Sequence, residues 1–400
     1  MKKIYLLAVA LAGTLLTSCS DFLDKVPLVV PSSETFLTNQ SAVTNYVDGL
    51  YIALPSAGAY GMGIMGEEKN SDNMVAMVYD RRMNGELQES IGGVTEWQKG
   101  YQNLRSVNYF LEYYKVPAAE ETAEVLSLKG EAYFFRAYWH YYLLTKFGSI
   151  PVMDKFWDGN ATVGELQIPA RDRSAVAQFI LDDLKAAKEL LYSRSKYQGL
   201  RICKEAAMVM AMRVALFEGT WEKYHKGTDF AAAEYKSDDF LQQVLTLGDE
   251  LFQMGITLNT KENDKSVKNI DDAYGNLFNS KDLSATQEVL FWKKYSIADN
   301  LVHSLNTNLS SGMCDAEGPA GLSQSLVDNY LSVDGNFIDP TAAKFKDFNE
   351  SFKDRDGRLL ATVMHSDCKY KSMTVKGAKK MLVKAYSEED KDLILNSATL

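Results

Sequence analysis

The sequence predicts an all-α-dominated chain, with a helical-repeat scaffold in its first half and a loop-rich, irregular second part. Three observations predict this. Apolar residues recur at helical spacing in five successive segments before residue 225. Beyond Tyr224 regularity declines, and residues 259–284 and 308–323 are polar and turn-rich. Strand-like and helical segments do not alternate in the way that builds a parallel sheet. A length of 400 residues suits one large domain or two ordinary ones, with ample capacity for a buried core.

The elements follow in order. Residues 25–40 read as extended, because Pro27 and Pro31 exclude a regular helix start. Residues 41–54 place Val43, Tyr46, Val47, Leu50 and Leu54 on one helical face. Residues 55–93 are rich in Gly, Asn, Asp and Met and read as a long irregular region. A second helix spans 95–114, and Pro117 stops the chain soon after it. The third runs from about 123 to 147 and ends at Gly148. The fourth, 173–191, carries Val176, Ile180, Leu184, Ala187 and Leu191 on one face, with Asp172 or Ser174 available as N-cap. Its acidic pair, Asp182 and Asp183, reads as solvated face. The fifth, 204–221, is Ala- and Met-rich and suited to close helix packing. Helix pairs of this size point to an array of the tetratricopeptide type, although the period is blurred. Residues 287–296 and the stretch "MLVKAYS" read as short strands.

The third helix carries eight aromatic rings between Tyr133 and Phe147. Leu128, Ala132, Phe135, Trp139 and Tyr142 form one stripe, and Tyr133, Ala137, Tyr141 and Leu144 another. A helix apolar on two sides is packed between neighbours. Burying eight such rings is worth about 10–20 kcal/mol, which rivals the net stability of a whole domain, about 5–15 kcal/mol. The rings are therefore core, and any recognition surface belongs to the loops.

The N-terminus carries a sharper signal. Lys2 and Lys3 precede an apolar run, residues 4–16, that is short for a membrane span. "LTSC" then ends at Cys19 and resembles a bacterial lipobox, which implies a signal peptide over 1–18 and lipid attachment at Cys19. Stable anchoring takes two or more acyl chains, at about 0.8 kcal/mol per buried methylene. The acidic "SDFLD" that follows resembles the export signal of surface lipoproteins in Bacteroidetes. The other cysteines, Cys203, Cys314 and Cys368, have neither disulfide-like nor zinc-like spacing.

Several chemistries find no support. A formal charge of −10 without a long basic run argues against nucleic acid. "GMGIMG", residues 61–66, matches a dinucleotide fingerprint by letters but lacks the flanking strand and helix. The four histidines have no ligand spacing, and His140 reads as a packed or rim residue. "DGNFID", 334–339, lacks the distal Glu of a calcium loop. No GxxxxGK[ST], HExxH or GxSxG occurs, so no cofactor, metal or catalytic residue is expected.

Seven segments together resemble the SusD/RagB family of Bacteroidetes glycan-binding lipoproteins, in the family's order. They include "CSDFLDKVP", "LRSVNYFLEYY", "KGEAYFFRAYWHYYLLTKFGSIPVM", "RSAVAQFILDDLKAAKELL", "QEVLFWKKYS", "SQSLVDNYLSVDGNFI" and "FKDRDGRLLATVM". The resemblance implies tetratricopeptide-like helix pairs as scaffold over about 19–225 and a ligand-bearing, loop-rich part over about 226–400. It also implies an outer-membrane lipoprotein facing the cell exterior, with a TonB-dependent, SusC-like transporter as partner. That role is capture of oligosaccharide or polysaccharide without catalysis. A binder of peptide or another nutrient, or a lipid-anchored protein scaffold, is the alternative. The family's late Arg-, Leu-, Ala- and Glu-rich motif is not found before Leu400, which implies that a C-terminal repeat is missing, by truncation or as a fragment.

With the helix core excluded, two segments combine aromatic rings with planar polar groups outside regular helices. One offers Asn70, Asp72, Asn73, Tyr79 and Arg81; the other offers Trp292, Tyr295 and Asn300. On this reading Trp292→Ala or Tyr79→Ala weakens oligosaccharide binding and leaves thermal stability nearly unchanged.

Overall fold

The computed structural model describes residues 36–54, 71–76, 84–86, 95–158, 160–260, 270–280, 282–301, 320–342 and 350–363. Helix dominates, as the periodicity predicts. Six longer helices come first: α1 (Gln40–Leu50), α2 (Thr95–Tyr113), α3 (Ala123–Phe147), α4 (Arg173–Leu190), α5 (Lys204–His225) and α6 (Ser237–Gln253). From α2 to α6 each packs on its chain neighbour, and α1 lies against α3.

The ends follow local chemistry. The Asn39 side chain accepts from the Ala42 amide to start α1, and Thr122 does the same for Val125 at the start of α3. Asp172, one of two candidate caps, accepts from Ser174 N–H at 3.1 Å to start α4. Gly148 closes α3 with a φ of 70°.

The aromatic helix lies in the core. Phe135 and Trp139 are 0% and 2% exposed, Phe134 is buried, and the other five rings of the run are half-buried against the same cluster. Phe135 meets Tyr51 edge-on at 5.0 Å, and Trp139 meets Tyr142 edge-on at 5.4 Å. Small residues set the helix spacing. A Cβ at Gly100 would stand 2.5 Å from Leu143 of α3, and one at Gly219 would stand 2.9 Å from Leu241 of α6. At both seams an added methyl would force the facing leucine to shift.

Polar pairs fix the register between helices. Arg136 of α3 forks onto Asp183 of α4 at 2.8 and 2.7 Å, and Arg173 of α4 forks onto Glu218 of α5 at 2.8 and 2.9 Å. Arg201 grips Glu131 at 2.9 and 2.8 Å and Asp48 at 2.6 Å, joining α1, α3 and the α4–α5 connection. Breaking such a buried pair by removing one partner costs about 3–5 kcal/mol. Asp183 thus departs from the solvated-face reading, since it is buried against Arg136 while Asp182 stays exposed. His140 is fully buried: Nε2 accepts from the Met153 amide at 3.1 Å, and Nδ1 lies 2.9 Å from the Arg136 carbonyl. Burial drives its pKa down to about 3, so it stays neutral.

The second part holds short elements: α7 (Ile270–Asn279), α8 (Gln324–Asn329), α9 (Gly357–Thr362), and two strands, β1 (Met74–Ala76) and β2 (Ala320–Leu322). The strands pair antiparallel, Met74 opposite Leu322. Here the sequence reading needs correction. α6 lies where regularity was expected to decline, and α7 lies inside the stretch read as turn-rich. Residues 287–296 form no strand, because Val289, Leu290 and Trp292 bond to the α4–α5 connection and Ser296 bonds to Leu301. Most of 55–93 and all of "MLVKAYS" lie outside the described residues.

Candidate functional site

The scaffold seizes residues 282–301 with the connection between α4 and α5. Ser193 Oγ and the Arg194 amide both donate to Glu205, at 2.5 and 2.8 Å, pinning the turn after α4 to the start of α5. The Arg194 side chain then reaches across. Its Nε donates to the Val289 carbonyl at 2.8 Å, and one Nη donates to the carbonyls of Leu283, Ser284 and Thr286, each at 3.0 Å. One buried guanidinium therefore organises a loop with no regular structure of its own.

A second clasp lies beside it. The Trp292 amide donates to Gly199 O and its indole N–H to Gln198 O, both at 2.9 Å. Gly199 has a φ of 80°, and a Cβ there would sit 3.0 Å from the indole. The Cys203 thiol donates to Leu290 O at 3.4 Å. Burial raises its pKa to about 12, which keeps it a protonated donor. Trp292 is only 9% exposed. Its expected place among the ligand contacts is thereby corrected: ring and N–H are both committed to the seam that holds the loop.

Beyond Trp292 the chain projects as a short tongue. Ser296 and Leu301 exchange backbone hydrogen bonds of 2.8 and 2.9 Å around a tight turn, with Ile297 89% exposed at its tip. Tyr295 is half-buried, with Lys293 Nζ 5.5 Å from its ring, and Asn300 is exposed in the left-handed region at φ 55°. The clasp at Trp292 thus sets an aromatic and an amide on a fixed base.

Asp72 and Asn73 lead into β1. The Asn73 carbonyl accepts from Ser323 N at 2.9 Å, and the Asp72 carbonyl accepts from Ser323 Oγ. Ser323 also caps α8 by accepting from Leu326 N. Asp72 is exposed and Asn73 half-buried. The bonds described so far place this pair on the two-stranded ribbon and the Tyr295 tongue on the α4–α5 connection. Asn70, Tyr79, Arg81 and Cys19 lie outside the described residues.

Sequence reasoning missed two concavities. One, of about 370 Å³, lies where α3, α4 and α5 meet, against Arg173, Phe217, Trp221 and Phe230. The other, of about 250 Å³, lies between the end of α2 and residues 155–165. The second had a visible signal: "KFWDGN", which starts four residues after Pro151, sets two rings beside a carboxylate and an amide. Among the described residues, no three His, Cys, Asp or Glu side chains are grouped as a metal site.

A family model described as "Starch-binding associating with outer membrane" matches residues 21–216, and the SusD family model matches residues 279–399. The chain belongs to the SusD/RagB family. A curated member, the SusD-like protein P25 of Formosa agariphila, is 23% identical over 223 residues, which is 51% of this chain and 41% of that protein. A SusD-like carbohydrate-binding protein from Bacteroides fragilis superposes with a TM-score of 0.63 at 17% identity, covering 84% of this chain and 61% of its own. Another SusD-like protein from the same species gives a TM-score of 0.60 at 20% identity, covering 86% and 64%. The chain spans less than two thirds of the length of each of these family members. No helix of the described residues is long and apolar enough to cross a membrane.

Proposed function

We propose that this chain is a cell-surface lipoprotein that binds oligosaccharide or polysaccharide and hands it to a TonB-dependent, SusC-like transporter, without catalysis. Cys19 carries the lipid that holds it at the outer membrane. Sugar contact falls to Tyr295 and Asn300 on the tongue and to Asp72 and Asn73 on the ribbon, with Asn70, Tyr79 and Arg81 as further contacts.

The observation that carries this reading is the way irregular backbone is fixed. Arg194 and Trp292 lock residues 283–292 to the helical scaffold, so Tyr295 and Asn300 are presented on a rigid base. Pre-organisation of this kind limits the entropy lost on binding. Family membership and the resemblance to a carbohydrate-binding protein of the same fold support the ligand class.

Affinity electrophoresis of the purified chain through gels containing starch, laminarin, mannan or xylan tests the reading. At least one gel is expected to retard it, and Tyr295→Ala to relieve that retardation. Free migration in every gel, or binding of peptides alone, would overturn the assignment. Co-purification with a large outer-membrane barrel tests the partner.

A further inference from the structure

We propose that the hollow between the end of α2 and residues 155–165 is a second sugar subsite, taking one ring of a neutral glycan. This rests on the glycan-binding reading above and adds a separate set of contacts to it.

The hollow, of about 250 Å³, falls just under the range of pockets that enclose a whole drug-sized ligand, which suits one sugar ring better than an oligosaccharide. Its lining combines Tyr113 and Trp157 with Glu112, Asp158, Asn160 and Glu165. Rings offer apolar faces to the C–H side of a pyranose, and carboxylates and an amide accept and donate to its hydroxyls. A lipid or an apolar side chain would find too few partners and too many carboxylates.

The site is built. Phe156 stands edge-on to Tyr109 and Tyr113, at 5.2 and 5.7 Å. Arg105 lies 4.5 Å from the Phe156 centroid and donates to the Trp157 carbonyl, so the aromatic floor is tied to α2. The polar rim is fixed too. Asp158 accepts from the Asn160 amide N–H at 2.9 Å and from Nδ2 at 3.3 Å, leaving the amide oxygen free to accept. Glu165 closes a capping box with Thr162, whose hydrogen bonds hold its carboxyl below the usual range. Asp158, Asn160 and Glu165 are thus oriented before a ligand arrives.

Charge sets the class. Three carboxylates face one ammonium, that of Lys155, 4.1 Å from the Trp157 centroid. Such a rim repels uronate and sulfate groups and accepts neutral hydroxyls.

The test uses the full chain and its Trp157→Ala and Asn160→Ala variants. Starch, laminarin, mannan and xylan serve as neutral probes and alginate as the acidic one. With the neutral polysaccharide that the parent binds best, each variant is expected to weaken binding by about tenfold, the loss of a single well-placed contact. That polysaccharide is also expected to shield Trp157 from N-bromosuccinimide oxidation, read by peptide mass spectrometry. Asn160 is an exposed turn residue, so its variant carries the test even if Trp157→Ala misfolds. Parental affinity in the Asn160 variant together with unshielded Trp157, while Tyr295→Ala loses binding, would sink the subsite and spare the function. Preferred binding of alginate through Trp157 would overturn the neutral class. A parent that binds no polysaccharide refutes both proposals.

Discussion

Replacing Arg194 separates the scaffold from the surface it supports. Its guanidinium makes four hydrogen bonds, to the carbonyls of Leu283, Ser284, Thr286 and Val289, from a buried position. Bonds to a charged group contribute about 1.5–3 kcal/mol net when removed one at a time. Four carbonyls on a loop regain water when released, so the net loss for Arg194→Ala is on the order of 2–4 kcal/mol. Because the helices do not use these bonds, the loss falls on the loop. Amide exchange across residues 283–292 is expected to accelerate by roughly 30- to 700-fold, at tenfold per 1.4 kcal/mol, while α3 and α4 keep their protection. Arg194→Lys should behave nearly as badly, because a point charge cannot replace a planar fork reaching four acceptors. Sugar affinity should fall in both variants, although neither touches the tongue. Exchange that stays at the parental rate in 283–292, or a rise shared equally by α3 and α4, would refute the reasoning.

Three more outcomes follow from the same geometry. Trp292→Ala removes a buried ring and an indole hydrogen bond, and should destabilise the chain by about 3–5 kcal/mol in denaturant unfolding; a change under about 1 kcal/mol would return Trp292 to the surface. His140 is held neutral with a pKa of about 3 against 6.5 when unfolded, so its stabilising contribution is full above pH 6.5 and is lost as pH falls. By pH 5 the loss is about 2 kcal/mol, and His140→Gln should flatten that part of the stability–pH curve relative to the parent. Gly100→Ala places a methyl against Leu143 and should cost about 1–3 kcal/mol, read as a lower thermal midpoint.

How much of this was legible beforehand depends on the range of the signal. α3 and α4 could be read from the sequence because periodicity, N-cap and stop lie within one segment: Thr122 and Gly148 bracket α3, and Asp172 opens α4. α6 carried a signal as well, with Phe240, Val244, Leu247 and Leu251 at helical spacing, but polar flanks and Gly248 diluted it. The candidate site was less legible. Tyr295 and Asn300 fall on an accessible tongue, whereas Trp292, drawn from the same composition, is buried.

The sequence by itself determined that α1 to α5 become helices and that the ring-rich one would be buried, because those outcomes follow from neighbours three or four positions away and from the area each ring removes from water. It also holds a stretch ending at Cys19 that resembles a lipobox. Only the tertiary structure decided that Asp183 meets Arg136, that Trp292 meets Gly199, and that one arginine gathers four carbonyls about 90 residues downstream. A residue's role there depends on which distant backbone arrives beside it. Loop carbonyls, identical at every position, leave no trace of that in composition or spacing.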